Sequence, residues 1–177
     1  MEETIRNDVT QKYSKGAIAI HWLTALLIFL LFPLGKYMEG IEPAEKAGLV
    51  KIHVLLGIIV LILTAIRSWL FFKAPRPADL KTGSTFNDKF AIWLHNAFYF
   101  LLFGIAISGI ATLIFGGYGE AISNGNLALI IDRSEILSLK GHGIMAFILM
   151  VFFVIHVIGV AKHYIVTKEN TLRRIFF

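Results

Sequence analysis

Four long apolar runs, separated by short polar connections, limit what this chain can fold into. They cover about residues 17–34, 52–72, 90–115 and 144–166, and each can cross a hydrocarbon core about 30 Å thick. Because backbone groups cannot stay unpaired in lipid, each run is expected to be helical. The sequence therefore predicts an all-α fold, an integral membrane four-helix bundle, with a single domain over residues 1–177.

Composition supports a membrane protein. Of the 177 residues, 56 % are apolar and 16 % are charged, and the mean hydropathy is +0.72. Cysteine is absent, which excludes disulfides, iron–sulfur clusters and haem bound through a thiolate or a CxxCH motif. The first apolar run is not expected to be a cleavable signal peptide, since it lacks a small-residue cleavage site and a second span follows closely.

Proline and glycine positions predict where the helices end. Pro33 and Gly35 are expected to end the first helix. Pro75 and Pro77 follow the second, where a proline cannot continue the helix. The third is expected to end at three glycines: Gly116, Gly117 and Gly119. The longest connection includes residues 127–139, which mix apolar and charged side chains. That stretch is either a short helix at the membrane surface or a plain connector.

The distribution of Lys and Arg predicts the orientation. Since the helices alternate in direction, both chain termini and the connection between the second and third helices share one side. Twelve of the 17 Lys and Arg residues lie there: Arg6, Lys12, Lys15, Arg67, Lys73, Arg76, Lys81, Lys89, Lys162, Lys168, Arg173 and Arg174. The other side carries Lys36, Lys46, Lys51, Arg133 and Lys140. The positive-inside rule then predicts a multi-pass protein of the bacterial inner membrane with both termini in the cytoplasm, and it explains the net charge of +5 without nucleic acid.

Two histidines of the fourth run, His142 and His156, lie 14 residues apart. In a helix this separation is roughly 21 Å along the axis and about 40° around it, so both side chains project from one face, near opposite membrane surfaces. An imidazole inside a membrane is costly and is usually functional. The spacing therefore indicates ligands for two stacked metal centres.

Two further histidines match these depths. His21 begins the first helix on the cytoplasmic side, where His156 also lies, and His53 begins the second helix on the outer side, level with His142. Each pair can hold one iron from opposite faces inside the bundle. Haem iron between two imidazoles has no free coordination position and suits electron transfer. Zinc is the competing metal, but it needs three or four ligands at one level.

Arg67 follows His53 by 14 residues and so projects from nearly the same helix face, at the cytoplasmic level. It is predicted to pair with a haem propionate; the alternative is an arginine that snorkels to the membrane surface. His95 and His163 also lie on the cytoplasmic side. They are either interfacial residues or hydrogen-bond partners of a quinone or a haem propionate.

On the outer side, Lys51 and Lys140 each come two residues before a predicted ligand. They are expected to pair with propionates of the second haem or to draw an anionic reactant towards it. Lys36 is a third candidate for the same role.

Short motifs near the predicted helix starts resemble those of the prokaryotic cytochrome b561 family. They are Ile20-His21-Trp22, Lys51-Ile52-His53-Val54 with Gly57, Leu94-His95-Asn96, Gly141-His142 followed by His156 and His163-Tyr164, and the tail Lys168-Glu169-Asn170-Thr171-Leu172-Arg173. The resemblance extends from about residue 13 to residue 174. It implies a four-helix protein with two haems b, one held by His21 and His156 and the other by His53 and His142.

The resemblance also implies a function. Members of that family exchange electrons with the ubiquinone pool, and some resemble a superoxide oxidase, which passes an electron from superoxide at the outer face to quinone. We therefore expect a quinone-coupled oxidoreductase with ubiquinone as substrate. Its expected partners are membrane lipid, quinone, superoxide or a redox protein, and a second copy of the chain, but not nucleic acid. The alternatives are an anchor or relay subunit of a larger dehydrogenase or hydrogenase and, less favoured, a transporter whose histidines relay protons.

Overall fold

The computed structural model describes residues 10–125 and 136–176, and within them it is all-helical with no strand. Among these residues, four helices are long and apolar enough to cross a membrane, which confirms the predicted fold class. The same residues contain a fifth, short helix and a 3₁₀ turn near the C-terminus. The elements are α1 (Lys15–Glu39), α2 (Pro43–Lys73), α3 (Thr85–Phe115), α4 (Tyr118–Asn124), α5 (Leu137–Thr167) and the 3₁₀ helix (Thr171–Arg174).

The predicted end of the first helix is wrong. Helix α1 continues through Pro33 and Gly35 to Glu39. A proline inside a membrane helix is tolerated because neighbouring helices and local adjustment of the backbone compensate for the missing hydrogen bond. The other spans are also longer than their apolar runs, because helices continue through polar residues once they leave the hydrocarbon layer. Helix α2, for example, begins with Pro43 in its first turn, where the missing N–H costs nothing.

The connection after α3 contains a short helix, α4, that precedes residues 127–139, the stretch for which the sequence predicts either a surface helix or a plain connector. Helix α4 lies between Gly117 and Gly125, whose positive φ angles of 73° and 67° suit glycine. Residues 126–135, which include most of the proposed surface helix, are outside the described residues. Leu137 already belongs to α5, so the last part of that stretch is not a separate helix.

The spans pack mainly as two pairs, α1 with α2 and α3 with α5, and α2 joins the pairs by packing on α3. Gly104 allows a close approach between α3 and α5, because a Cβ there would lie 2.8 Å from Sδ of Met145. Phe29 of α1 and Phe153 of α5 meet edge to face with their ring centroids 4.8 Å apart. The two pairs thus leave space between them that side chains from all four spans surround.

The segments near both chain termini meet the α2–α3 connection at one end of the bundle, which we call the terminal end. The guanidinium of Arg174 donates to the carbonyl oxygens of Gln11 (3.3 Å) and Ala78 (2.7 Å). The indole Nε1 of Trp22 donates to the carbonyl oxygen of Ile175 at 2.7 Å. We call the opposite end, which contains the α1–α2 connection and α4, the distal end. These two ends carry the two histidine levels.

Candidate cofactor sites

An apolar cavity of about 300 Å³ occupies the distal half of the bundle. Side chains of α1, α2, α3 and α5 line it, and Tyr118 of α4 borders it at the distal end. Its volume is at the lower end of the range found for small-molecule and cofactor sites. His53 and His142 are both in its lining, so the cavity brings together the two histidines that the sequence predicts at the outer level.

The rings of His53 and His142 have centroids 6.0 Å apart and planes inclined at 62°. Two metal–imidazole bonds of about 2 Å each, together with the distance from each nitrogen to its ring centre, span roughly 6 Å. Nδ1 of His142 donates to the carbonyl oxygen of Ile105 at 2.8 Å, which leaves Nε2 as the ligand nitrogen. A ligating histidine usually donates its other nitrogen in this way.

His53 differs from its partner. Its Nδ1 is buried, and no hydrogen-bond partner for it is present among the described residues. A buried polar atom without a partner is costly, so this ring is suited to a site that a bound group completes. The spacing of the two rings, the fixed Nδ1 of His142 and the Nδ1 of His53, which has no partner among the described residues, all fit a metal held between them.

Two glycines lie directly against these rings. A Cβ at Gly35 would lie 3.4 Å from Cε1 of His53, and a Cβ at Gly109 would lie 3.3 Å from both Cε1 and Nδ1 of His142. Both glycines also line the cavity. Small residues on α1 and α3 therefore leave room for imidazoles that extend from α2 and α5.

Three imidazoles and a guanidinium gather at the terminal level. The ring of His156 makes perpendicular contacts with His95, at a centroid distance of 5.3 Å, and with Phe98, at 5.7 Å. His21 lies within electrostatic reach of His156, His95 and Arg67. The structure thus brings the predicted pair together but adds His95, whose contact with His156 the sequence analysis did not anticipate.

His95 and Arg67 have partners of their own in this cluster. Nδ1 of His95 donates to the carbonyl oxygen of Ala91 at 2.7 Å. The guanidinium of Arg67 lies 5.8 Å from the ring centroid of Tyr99, and its side chain is half-buried. A half-buried arginine beside three imidazoles places a fixed positive charge at this level of the bundle.

The comparisons with known proteins are consistent with this arrangement. A family model described as prokaryotic cytochrome b561 matches residues 12–177. The chain belongs to the prokaryotic cytochrome b561 family. It is a multi-pass membrane protein of electron transfer, and its family implies b-type haem.

Curated relatives match this chain over nearly its whole length. Cytochrome b561 homolog 2 of Escherichia coli K12 is 29 % identical over 174 residues, which cover 93 % of this chain and 90 % of that protein. The probable superoxide oxidase CybB of Yersinia pestis is 28 % identical, with 93 % and 95 % covered. Cytochrome b562 of Cereibacter sphaeroides is 27 % identical, with 92 % and 93 % covered.

The donor set of this family member suits haem better than a bare metal ion. In the part of the chain that the structure describes, no three His, Cys, Asp or Glu side chains converge as a metal-ion site. Zinc would need such a group of ligands. Two facing imidazoles suffice for haem, because the porphyrin supplies the remaining iron ligands.

The remaining predicted residues differ in their position relative to the cavity. Lys51 and Lys140 are exposed and do not line it, although each is two residues from a histidine that does. Lys36 lines it and forms a 2.7 Å ion pair with Glu39. At the terminal end, Nε2 of His163 lies 3.1 Å from the Glu169 carboxylate.

Sequence reasoning missed one basic residue of the distal site. Lys46 lines the cavity and is only 4 % exposed. It precedes His53 by seven residues, which is close to two full helical turns, so the two side chains share a face of α2. This seven-residue spacing can be read from the sequence, but it is informative only if the helix begins near Pro43 rather than at the start of the apolar run.

Proposed function

We propose that this chain binds two haems b, one between His53 and His142 at the distal end and one between His21 and His156 at the terminal end. The observation that carries the proposal is the pair of rings at the wall of the distal cavity, 6.0 Å apart, with Gly35 and Gly109 against them. The terminal pair is supported by the clustering of His21 and His156 with Arg67.

Haem b held by two imidazoles supplies a reversible one-electron couple with no coordination position left for a substrate. The protein's own contribution is to bind, orient and shield. The carbonyl oxygen of Ile105 fixes the tautomer and orientation of the His142 ring. The lining of the distal cavity is mostly apolar, which disfavours bound water, and Arg67 offers a cation to carboxylates at the terminal level.

We further propose that the protein passes electrons from a donor outside the membrane to the quinone pool. Superoxide is the proposed donor: two superoxide anions each lose one electron to give dioxygen, and one quinone takes up two electrons and two protons to give a quinol. The proposal is supported by the relative whose name is probable superoxide oxidase and by Lys36, an exposed lysine in the lining of the distal cavity. Cations at a site entrance raise the rate at which anions reach it.

The proposed orientation places the terminal end in the cytoplasm and the distal end outside the inner membrane. The surplus of Lys and Arg at the terminal end supports this orientation. His95 and His163 lie at that end. Since His163 is engaged by Glu169, His95 is the better candidate to hydrogen-bond a quinone there.

The test is an absorption spectrum of the purified protein with its haem stoichiometry, followed by pulse radiolysis with superoxide. We expect two haems b per chain and rapid reduction that slows as ionic strength rises. Quinone added after reduction should reoxidise the protein. Fewer than two haems contradicts the cofactor assignment, whereas two haems without reduction by superoxide contradicts only the proposed donor.

A further inference from the structure

The outer nitrogen of His142 has two hydrogen-bond acceptors on α3. Its Nδ1 lies 2.8 Å from the carbonyl oxygen of Ile105 and 3.3 Å from the hydroxyl oxygen of Ser108. The Ser108 hydroxyl in turn donates to the same carbonyl oxygen at 2.9 Å. A serine inside a helix commonly bonds back to a carbonyl of that helix and does no more. The additional contact with an imidazole on another helix is therefore informative.

The donors and acceptors of these three groups allow one assignment. A carbonyl oxygen only accepts, so Nδ1 of His142 carries the hydrogen, and Nε2 carries the lone pair that can bind a metal. The hydroxyl hydrogen of Ser108 is directed to the carbonyl oxygen of Ile105, so the serine oxygen can accept from the histidine. One Nδ1–H group is thus shared between two acceptors, and Ser108 is the only one of them that a side-chain substitution removes.

A second hydroxyl contact holds α5 against α3. Thr112, one turn after Ser108, is 7 % exposed and forms a hydrogen bond of 3.0 Å with the hydroxyl of Ser138. Ser138 precedes His142 by four residues, so the two contacts join the same faces of two antiparallel helices and lie one turn apart. Hydrogen bonds between helices fix their packing inside a membrane. These two contacts therefore limit how far His142 can move past Ser108.

We propose that Ser108 is a positioning residue that lowers the midpoint potential of the haem held by His53 and His142. This inference rests on the proposed function, because it requires a haem in the distal cavity. A hydrogen bond from the outer nitrogen of a ligating histidine makes the ring a more basic ligand. A more basic ligand favours ferric over ferrous iron, and hydrogen bonding to a ligand is one of the means by which a protein sets a haem potential. Helix α3 supplies no proposed ligand to this haem, so Ser108 acts through the ligand that α5 supplies.

The experiment compares Ser108→Ala with Ser123→Ala in the purified haem-loaded protein. Ser123 is the matched control, because its hydroxyl also donates to a carbonyl oxygen of its own helix, that of Gly119 at 2.9 Å, but it is exposed on α4. Redox titration measures the midpoint potential of each haem, and the haem that is missing from His142→Ala identifies the distal one. In Ser108→Ala we expect the distal potential to rise by about 30 mV, which is a roughly threefold change in the equilibrium constant of a one-electron couple. Ser123→Ala should match the unmodified protein.

A conservative variant separates the hydrogen bond from packing. Ser108→Thr keeps the hydroxyl, which in a helix can still bond to a carbonyl of the preceding turn, and it should restore the potential of the unmodified protein. A serine that only supports the packing of α3 on α5 would affect haem retention without changing the potential. The proposal is overturned if Ser108→Ala loses the distal haem, leaves its potential unaltered or lowers it, or if Ser108→Thr does not restore it. If the unmodified protein contains no distal haem, the proposed function itself fails.

Discussion

The imidazole rings of His53 and His142 lie 6.0 Å apart at the wall of one cavity, but their outer nitrogens are held differently. Nδ1 of His142 donates to the carbonyl oxygen of Ile105 and is 3.3 Å from the hydroxyl of Ser108. Nδ1 of His53 is buried with no hydrogen-bond partner in the described part of the chain. One ring is therefore oriented by the protein in advance, while the other depends more on the group it binds.

Replacing His142 with Ala should remove one haem and leave the other in place. The distal site loses a ligand, whereas the cluster of His21 and His156 lies at the other end of the bundle. Pyridine haemochrome titration of the purified variant should give about half the haem of the unmodified protein. The control is His163→Ala, which should keep both haems because Glu169 engages that ring. Retention of both haems in His142→Ala would exclude the proposed pairing.

Gly109→Ala should weaken the distal site without removing a ligand. Its Cβ would lie 3.3 Å from two atoms of the His142 ring, so the ring must move or the helices must separate. Movement of the ring also disturbs the hydrogen bond to Ile105, and lost orientation of a ligand typically costs about 10-fold to 100-fold in affinity. Because a shift of a few tenths of an ångström relieves this contact, we expect haem transfer to apomyoglobin to accelerate by no more than about 10-fold.

The matched control for that substitution is Gly159→Ala on α5. A Cβ there would meet nothing within 4 Å, so haem binding should be unchanged. Equal haem transfer rates in the two variants would show that Gly109 has no part in positioning His142.

Replacement of His21 and of His95 should distinguish the two possible partners of His156. His95 already contacts the His156 ring at 5.3 Å and donates Nδ1 to Ala91, which fits a supporting residue better than a ligand. We expect His21→Ala to lose the terminal haem and His95→Ala to keep it, with an altered midpoint potential. Loss of haem only in His95→Ala would reassign the ligand, and the α-band spectrum of each variant gives the answer directly.

The sequence predicts the bundle and the histidine levels well, because both depend on simple periodicities. Apolar runs set the number of spans, and helical spacing sets the depth of each imidazole. Helix ends are predicted less well. Pro33 does not stop α1, and α2 begins at Pro43, before its apolar run, because membrane helices extend into the polar layer.

These errors in helix ends explain what was missed at the sites. Lys46 precedes the apolar run of the second span, so its alignment with His53 on one helix face follows only from a helix that begins at Pro43. The contact between His95 and His156 depends on how α3 packs against α5, which no single-helix pattern contains. The sequence thus identifies residues that share a face of one helix, whereas contacts between helices require the structure.

Arg174 should contribute strongly to the stability of the terminal end. It is 4 % exposed, donates to the carbonyl oxygens of Gln11 and Ala78, and lies 5.7 Å from the ring centroid of Tyr13. It therefore connects the N-terminal segment, the α2–α3 connection and the C-terminal 3₁₀ helix. Arg174→Ala removes two charge-assisted hydrogen bonds and leaves both carbonyl groups without these donors, so we expect a loss of about 2–4 kcal/mol in the free energy of unfolding.

Arg173→Ala is the control, because that side chain is exposed and its loss should cost less than about 0.5 kcal/mol. Thermal unfolding followed by circular dichroism in detergent compares the two variants. If they unfold at the same temperature, the contacts of Arg174 do not stabilise the bundle.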